Sequence, residues 1–255
     1  MADPTRREFF GRTGRLAIGG LAAAAVPDLA RGAEGKQFEH HWGMLVDLRR
    51  CIGCQGCTVA CKAENDVPLG VFRRRVRTVM TGTYPNAKRH FVPISCFHCE
   101  KPGCLESCAK NECFEGQTES AISQTDDGYV VIDQAKCTPD KKPCMTGCPY
   151  HNIFIDPATE KADKCTFCDH RVEQGLTPAC VQTCEGGALM FGDLKDPTSE
   201  IAKVIAANET QVLRPKKGTE PAFHYIGLEP EVQKVIEGMV SKGKRLQPRQ
   251  LERDR

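Results

Sequence analysis

Cys51-Ile52-Gly53-Cys54-Gln55-Gly56-Cys57-Thr58-Val59-Ala60-Cys61 places four thiols at gaps of two, two and three residues. Two-residue gaps let one tight loop aim three thiolates at three corners of a cube. The fourth cysteine, a helical turn further on, points away and is free to serve a second cube. Iron–sulfur clusters are held by loops of this spacing.

The remaining cysteines repeat the arrangement with variations. They read Cys96-x2-Cys99-x4-Cys104-x3-Cys108, then Cys137-x6-Cys144-x3-Cys148-Pro149, then Cys165-x2-Cys168-x11-Cys180-x3-Cys184. All four groups end in C-x3-C, so each has a last thiolate to give to a partner cluster. Cys113 stands outside the scheme. Structural zinc also uses C-x2-C pairs, but two such pairs complete a zinc site and four recurring C-x3-C endings stay unexplained. A disulfide framework belongs to shorter chains with a higher cysteine fraction than 16 in 255.

Composition agrees with a metal-dependent fold. The formal charge is only +2, from 35 basic and 33 acidic residues, and nothing suggests a nucleic-acid partner. Aromatic content is 6%, with 16 prolines and 23 glycines, so a large hydrocarbon core is not expected. Cluster ligation is then expected to supply much of the folding free energy.

The first 35 residues read as an address rather than as part of the fold. Thr5-Arg6-Arg7-Glu8-Phe9-Phe10-Gly11 precedes an apolar run from Leu16 to Val26, which resembles a twin-arginine export signal. That run is far short of the ~18 to 20 apolar residues a membrane span requires, and no other stretch approaches that length, so no direct membrane span is expected. Export by a route that carries proteins already folded around their cofactors would leave no free thiols to oxidise outside the cytoplasm. The expected location is therefore the periplasm, with any membrane association made through a partner.

Further along, Trp42–Asp47 reads as a strand entering the first cysteine group, and Thr58–Asn65 as a short helix leaving it. Asp127–Asp133 and Asn152–Asp156 are β-branched and aromatic runs bounded by turn residues. Ser199 is placed to cap a helix with Ile201, Val204 and Ile205 on its apolar face. Val232, Val235, Ile236, Met239 and Val240 mark a second helix. The expected class is α+β, with nested ferredoxin-like modules around paired cysteine groups and a C-terminal helical extension.

The stretches WGMLVDLRRCIGCQGCTVACKAENDVPLG (42–70), Cys96–Cys108 and KCTFCDHRVEQGLTPAC (164–180) carry a specific resemblance. Residues 42 to about 228 resemble the four-cluster iron–sulfur subunit of the dimethyl sulfoxide reductase family, electron-transfer partner of molybdopterin-containing oxidoreductases. Within that family the chain is most similar to exported tetrathionate, polysulfide, thiosulfate and arsenate reductase subunits. The resemblance implies an outer module, 36–75 with 160–198, an inner inserted module, 76–159, and an extension, 199–255. It implies that Cys51, Cys54 and Cys57 share a cluster with Cys184, and that Cys165, Cys168 and Cys180 share one with Cys61. Cys96, Cys99 and Cys104 would join Cys148, and Cys108 would join Cys137 and Cys144. Three [4Fe–4S] clusters and a fourth are implied, with a molybdopterin-containing catalytic subunit on one side and a membrane quinone-binding anchor or cytochrome on the other.

The fourth cluster departs from the pattern. Where C-x2-C-x2-C-x3-C-P is expected, the chain reads Cys137-Thr-Pro-Asp140-Lys-Lys-Pro-Cys144, one cysteine short and one residue long. Three outcomes stay open: a [3Fe–4S] cluster on three thiolates, a non-standard [4Fe–4S] cluster completed by Asp140, or one completed by Cys113. Cys113 is equally well read as a small buried hydrophobe, and a missing fourth cluster is a further possibility.

Arg50, Lys62, Lys136 and Lys164 each adjoin a cysteine, where a cation would raise a cluster's potential; the alternative is that they point to water. His98, inside Cys96-Phe97-His98-Cys99, is read as a neighbour of the cluster or a surface residue, not a ligand. His40, His41 and His224 have no metal-ligand spacing. No phosphate loop and no nucleophile–base pair is found, so the chain is expected to carry electrons without catalysing a reaction. The competing readings are a periplasmic iron–sulfur subunit of a quinone-linked membrane complex or hydrogenase without molybdopterin, and a diffusing ferredoxin-like shuttle.

Overall fold

A computed structural model describes residues 39–110, 120–138 and 142–241. The export-signal reading, Cys113 and Asp140 lie outside the described residues.

In chain order the elements are β1 (Trp42–Asp47), α1 (Gly56–Glu64), β2 (Arg75–Thr81), β3 (Lys88–Ile94), α2 (Gly103–Lys110), β4 (Ile122–Gln124), β5 (Val130–Ile132), α3 (Pro143–Gly147), β6 (Phe154–Ile155) and β7 (Ala162–Asp163). Then follow α4 (Asp169–Val172), α5 (Ala179–Gln182), β8 (Leu189–Asp193), α6 (Glu200–Ala207), β9 (Thr210–Gln211), β10 (Phe223–Ile226) and α7 (Pro230–Ser241). The fold is mixed α+β, built from small sheets and short helices.

Four strands make the main sheet in the order β8-β1-β10-β9. β1 is central and reads Trp-Gly-Met-Leu-Val-Asp, with Met44, Leu45 and Val46 all fully buried. A strand covered on both faces needs such an unbroken apolar run. On one face Met44 and Val46 enter the main core, and on the other Leu45 meets Ile201 of α6 and Ile226 of β10. β8 pairs with β1 antiparallel, Val46 opposite Leu189, and β10 pairs with it parallel, Met44 opposite Phe223. A parallel neighbour requires a crossover, and here the crossover holds every cysteine group. The segment after residue 199 thus supplies two strands of the main sheet besides its helices.

Three two-stranded ladders, β2-β3, β4-β5 and β6-β7, are inserted between β1 and β8. The strand expected over 127–133 is shorter than that run. Asp126–Gly128 forms the turn between β4 and β5, with Gly128 at φ +81° and its N–H donating to Thr125 O at 3.1 Å. Glycine adopts that left-handed backbone without a Cβ clash, so pairing resumes only at Val130. The strand expected over 152–156 is confined to Phe154–Ile155.

Ser199 caps α6, its Oγ accepting from Ala202 N at 3.2 Å, as the sequence suggests. In α7, Val232 and Ile236 are each 1% exposed and belong to the main core. Nine of the thirty buried residues in that core are cysteines, so the apolar interior is organised around thiols. Among the described residues no helix is long and apolar enough to cross a membrane.

Candidate metal centres

Three cysteine pairs share one backbone device. Gly53, His98 and Phe167 each precede the second cysteine of a C-x2-C pair, and each has positive φ, at 72°, 43° and 62°. A left-handed residue there curls the loop so that both thiols face one side. Glycine does this freely, whereas a histidine or phenylalanine in that region is strained and must be held by its surroundings. The His98 and Phe167 rings hold each other, stacked with centroids 3.7 Å apart. His98 is fully buried, with Nδ1 accepting from Val130 N at 3.1 Å, so the surface alternative for it does not hold. Gly53 has a second constraint, since a Cβ there would stand 2.4 Å from the Phe91 ring.

The loops and helices bring distant thiols together. Cys51, Cys54, Cys57 and Cys184 line one cavity, next to Ile52 and Leu189. Cys61, Cys165, Cys168 and Cys180 line a second, next to Asn65 and Arg74. Cys57 and Cys61 stand on consecutive turns of α1 and therefore face different cavities. Cys96, Cys99, Cys104 and Cys148 are buried and near enough to interact electrostatically, and Cys108 and the half-buried Cys137 both act on the buried Cys144. The two cavities bring together the outer thiols that the sequence resemblance pairs, Cys184 beside Cys51, Cys54 and Cys57, and Cys61 beside Cys165, Cys168 and Cys180.

α2 and α3 make the inner crossing through two glycines. A Cβ on Gly103 would come within 2.9 Å of Gly147 O, and one on Gly147 within 2.8 Å of Gly103 O. Backbones so close let Cys104 and Cys108 of α2 interleave with Cys144 and Cys148 at α3. The same C-x3-C ending on each helix explains why each group divides its thiols between two sets.

Burial governs the thiol chemistry. It pushes Cys96 up to about 11 and Cys99, Cys144 and Cys180 up to about 12, because a thiolate away from water is unfavourable. Cys61 and Cys104 are raised further for the same reason. Bound iron would take the place of these protons and supply the missing positive charge. The two all-thiol sets that line cavities suit iron–sulfur clusters, which thiolates hold. N–H groups already point at several sulfurs: Phe167 N at Cys165 Sγ (3.4 Å), Ala188 N at Cys184 Sγ (3.2 Å), Ala162 N at Cys137 Sγ (3.4 Å) and Asn65 Nδ2 at Cys168 Sγ (3.6 Å). Such bonds stabilise added negative charge and raise a cluster's potential.

The four cations beside ligands do not behave alike. Lys164 is 1% exposed and donates to Val130 O and, at 3.0 Å, to Cys165 O. Its charge favours the thiolate forms of Cys96 and Cys104. Lys62 is tied to Pro68 O at 2.7 Å and Val71 O at 2.8 Å, and Arg50 is exposed, its guanidinium against Gly187. Lys136 is half-buried. His40 pairs with Asp193 at 2.9 Å, which raises its pKa, and burial lowers that of His224.

Motif reading missed the run Arg73-Arg74-Arg75, which has no metal-ligand spacing. Arg73 forms a two-point ion pair with Asp163 at 2.8 and 3.0 Å. Arg75 reaches Asn152 Oδ1 at 2.9 Å. Arg74 turns inward between the two outer thiol sets and is 1% exposed. Arg73 and Arg74 lie in the bend just before β2, so no strand alternation marks which of them turns inward.

Comparison with known proteins agrees with this architecture. The 4Fe-4S dicluster domain family matches residues 87–194. The B subunit of tetrathionate reductase from Salmonella typhimurium is 40% identical over 235 residues, covering 89% of this chain and 90% of the relative. The iron-sulfur B subunit of a putative dimethyl sulfoxide reductase from Halobacterium salinarum is 38% identical over 219 residues, covering 74% and 80%. The B component of polysulfide reductase from Wolinella succinogenes is 37% identical over 190 residues, covering 72% and 93%. The protein belongs to the family of iron–sulfur electron-transfer subunits of the dimethyl sulfoxide reductase type, which serve molybdopterin reductase complexes and are not their catalytic subunits.

Proposed function

We propose that the chain relays electrons through four clusters between a molybdopterin-containing catalytic subunit and a quinone-binding anchor or cytochrome. The observation that carries the reading is the exchange of thiols between groups, with Cys184 beside Cys51, Cys54 and Cys57, and Cys61 beside Cys165, Cys168 and Cys180. Each of these sets would hold a [4Fe–4S] cluster, and so would Cys96, Cys99, Cys104 and Cys148. Cys108, Cys137 and Cys144 would hold the fourth, as [3Fe–4S] or as a four-iron cluster completed by Asp140 or Cys113. The sets adjoin in series: α1 carries Cys57 and Cys61, Cys165 acts electrostatically on Cys96, and α2 carries Cys104 and Cys108. When bound, the clusters supply one-electron acceptors; the protein's part is to space them, exclude water and place N–H groups and cations beside the sulfurs.

The nested-module reading belongs with this proposal. The outer thiol sets flank β1 and β8, the inner sets belong to an insertion, and the extension closes the sheet through β9 and β10. Export by the twin-arginine route follows from Arg6-Arg7 and the apolar run behind them. Replacing both arginines by lysine should retain the protein in the cytoplasm, as fractionation would show.

The deciding experiment is mass spectrometry of what co-purifies anaerobically with a tagged copy from its native host. A large molybdopterin-containing partner is expected, and tetrathionate is the first substrate to assay with the recovered complex. Recovery with only cytochromes and quinone-binding membrane subunits would overturn the molybdenum assignment while leaving the clusters intact.

A further inference from the structure

Arg74 is among the most deeply buried side chains and has no carboxylate partner among the described residues; the nearby Asp163 is taken by Arg73. Its Nη2 donates to Ser95 Oγ at 3.2 Å and is directed at Met44 Sδ. The guanidinium carbon lies 5.8 Å from the centre of the Phe223 ring. Nε and Nη1 have no hydrogen-bond partner among the described residues. A buried cation with two idle donors is strongly unfavourable unless a negative group faces it. Arg74 lines the cavity of Cys61, Cys165, Cys168 and Cys180. Cys180, Cys57, Cys165 and Cys61 all lie close enough to act electrostatically on the guanidinium, and Cys57 belongs to the other outer set.

We infer that Arg74 is a fixed counter-charge shared by the two outer clusters, a positioning residue for charge that raises both reduction potentials together. This rests on the ligand assignment proposed above. Each reduction adds one electron to a cluster already made negative by its thiolates, and no proton need accompany it. A guanidinium held between two such sites offsets the added charge at both. Arginine suits the place because its charge persists at any working pH and its planar head is more weakly hydrated than an ammonium. One shared cation moves both potentials in the same direction, so a change at Arg74 alters the two outer clusters together.

The test is an anaerobic potentiometric titration of the whole complex followed by EPR, with Arg74→Met and Arg74→Lys beside the parent. Cys54→Ser and Cys168→Ser identify the signals of the two outer clusters. Arg74→Met should shift both outer reduction equilibria at least tenfold toward the oxidised state, ~59 mV for a one-electron couple. The inner clusters should shift less, and Arg74→Lys should restore most of the difference. Unchanged outer potentials, or an equal shift in every cluster, would overturn the inference. If Arg74→Met fails to retain iron, Arg74→Lys decides: retained clusters with near-parent potentials support the shared charge, and equal iron loss in both variants sinks it. Iron content of the parent protein tests the ligand assignment separately.

Discussion

Cys57 and Cys61 sit one helical turn apart in α1, both buried, and face different thiol sets. Cys61→Ala should therefore remove the cluster shared with Cys165, Cys168 and Cys180 and spare the one shared with Cys184. Iron analysis should register a loss of about four atoms per molecule, and EPR should show the neighbouring cluster intact. Asp47 gives a pH-dependent case. The Arg49 guanidinium and backbone N–H hold its carboxyl below the usual carboxylate value. Because the folded value lies under the unfolded one, ~3.9, its stabilisation is complete above that pH and disappears as pH falls through the folded value. Asp47→Asn should lose its clusters faster than the parent at neutral pH and at the same rate in strong acid, measured by bleaching of visible absorbance. The effect should be small, since Arg49 is 61% exposed and its pair is screened by water. The thiols were legible residue by residue in the sequence. Arg74 was not, because nothing in a basic run tells which member leaves the solvent.

At the scale of elements, the crossing of α2 and α3 depends on the absence of side chains at Gly103 and Gly147. Gly147→Ala places a Cβ 2.8 Å from Gly103 O and closer still to Ser107. Forcing the helices apart should cost about 1–3 kcal/mol and loosen the inner thiol sets before the outer ones. Iron content and the loss of inner-cluster EPR signals would measure it. α6 makes a contrasting case, since it carries no ligand. Ser199→Ala removes the cap on Ala202 N and the bond to Asp193 O at 2.7 Å. The expected loss is about 1 kcal/mol, seen as faster thermal inactivation with unchanged cluster potentials. The helix was readable from Ser199 and the spacing of Ile201, Val204 and Ile205. The β4–β5 turn was harder to read, because Asp127-Gly128-Tyr129 looks like the start of the strand that follows.

Over the whole molecule, the core and the cluster sites are one object. Cysteines from all four groups sit in the same buried network as Met44, Phe223, Tyr225 and Val232. Removal of iron with a strong chelator under anaerobic, reducing conditions should leave raised-pKa thiols lining cavities that apolar contacts alone do not hold shut. The expected outcome is cooperative loss of the fold, followed by circular dichroism and by susceptibility to protease, because binding free energy here is folding free energy. Persistence of the native spectrum after complete iron loss would show that the main sheet and α7 suffice without metal.

What the sequence determined by itself is local and covalent: the thiol spacing, the C-x3-C endings, the caps and the apolar runs of β1, α6 and α7. These depend on neighbours a few residues away, within reach of one loop or one helical turn. The tertiary structure alone decided the inward turn of Arg74, the stacking of His98 on Phe167, the glycine crossing of α2 and α3, and the closure of the sheet by β10. Each of these is a contact between segments far apart in the sequence, and its energy comes from burial and charge that no local pattern encodes.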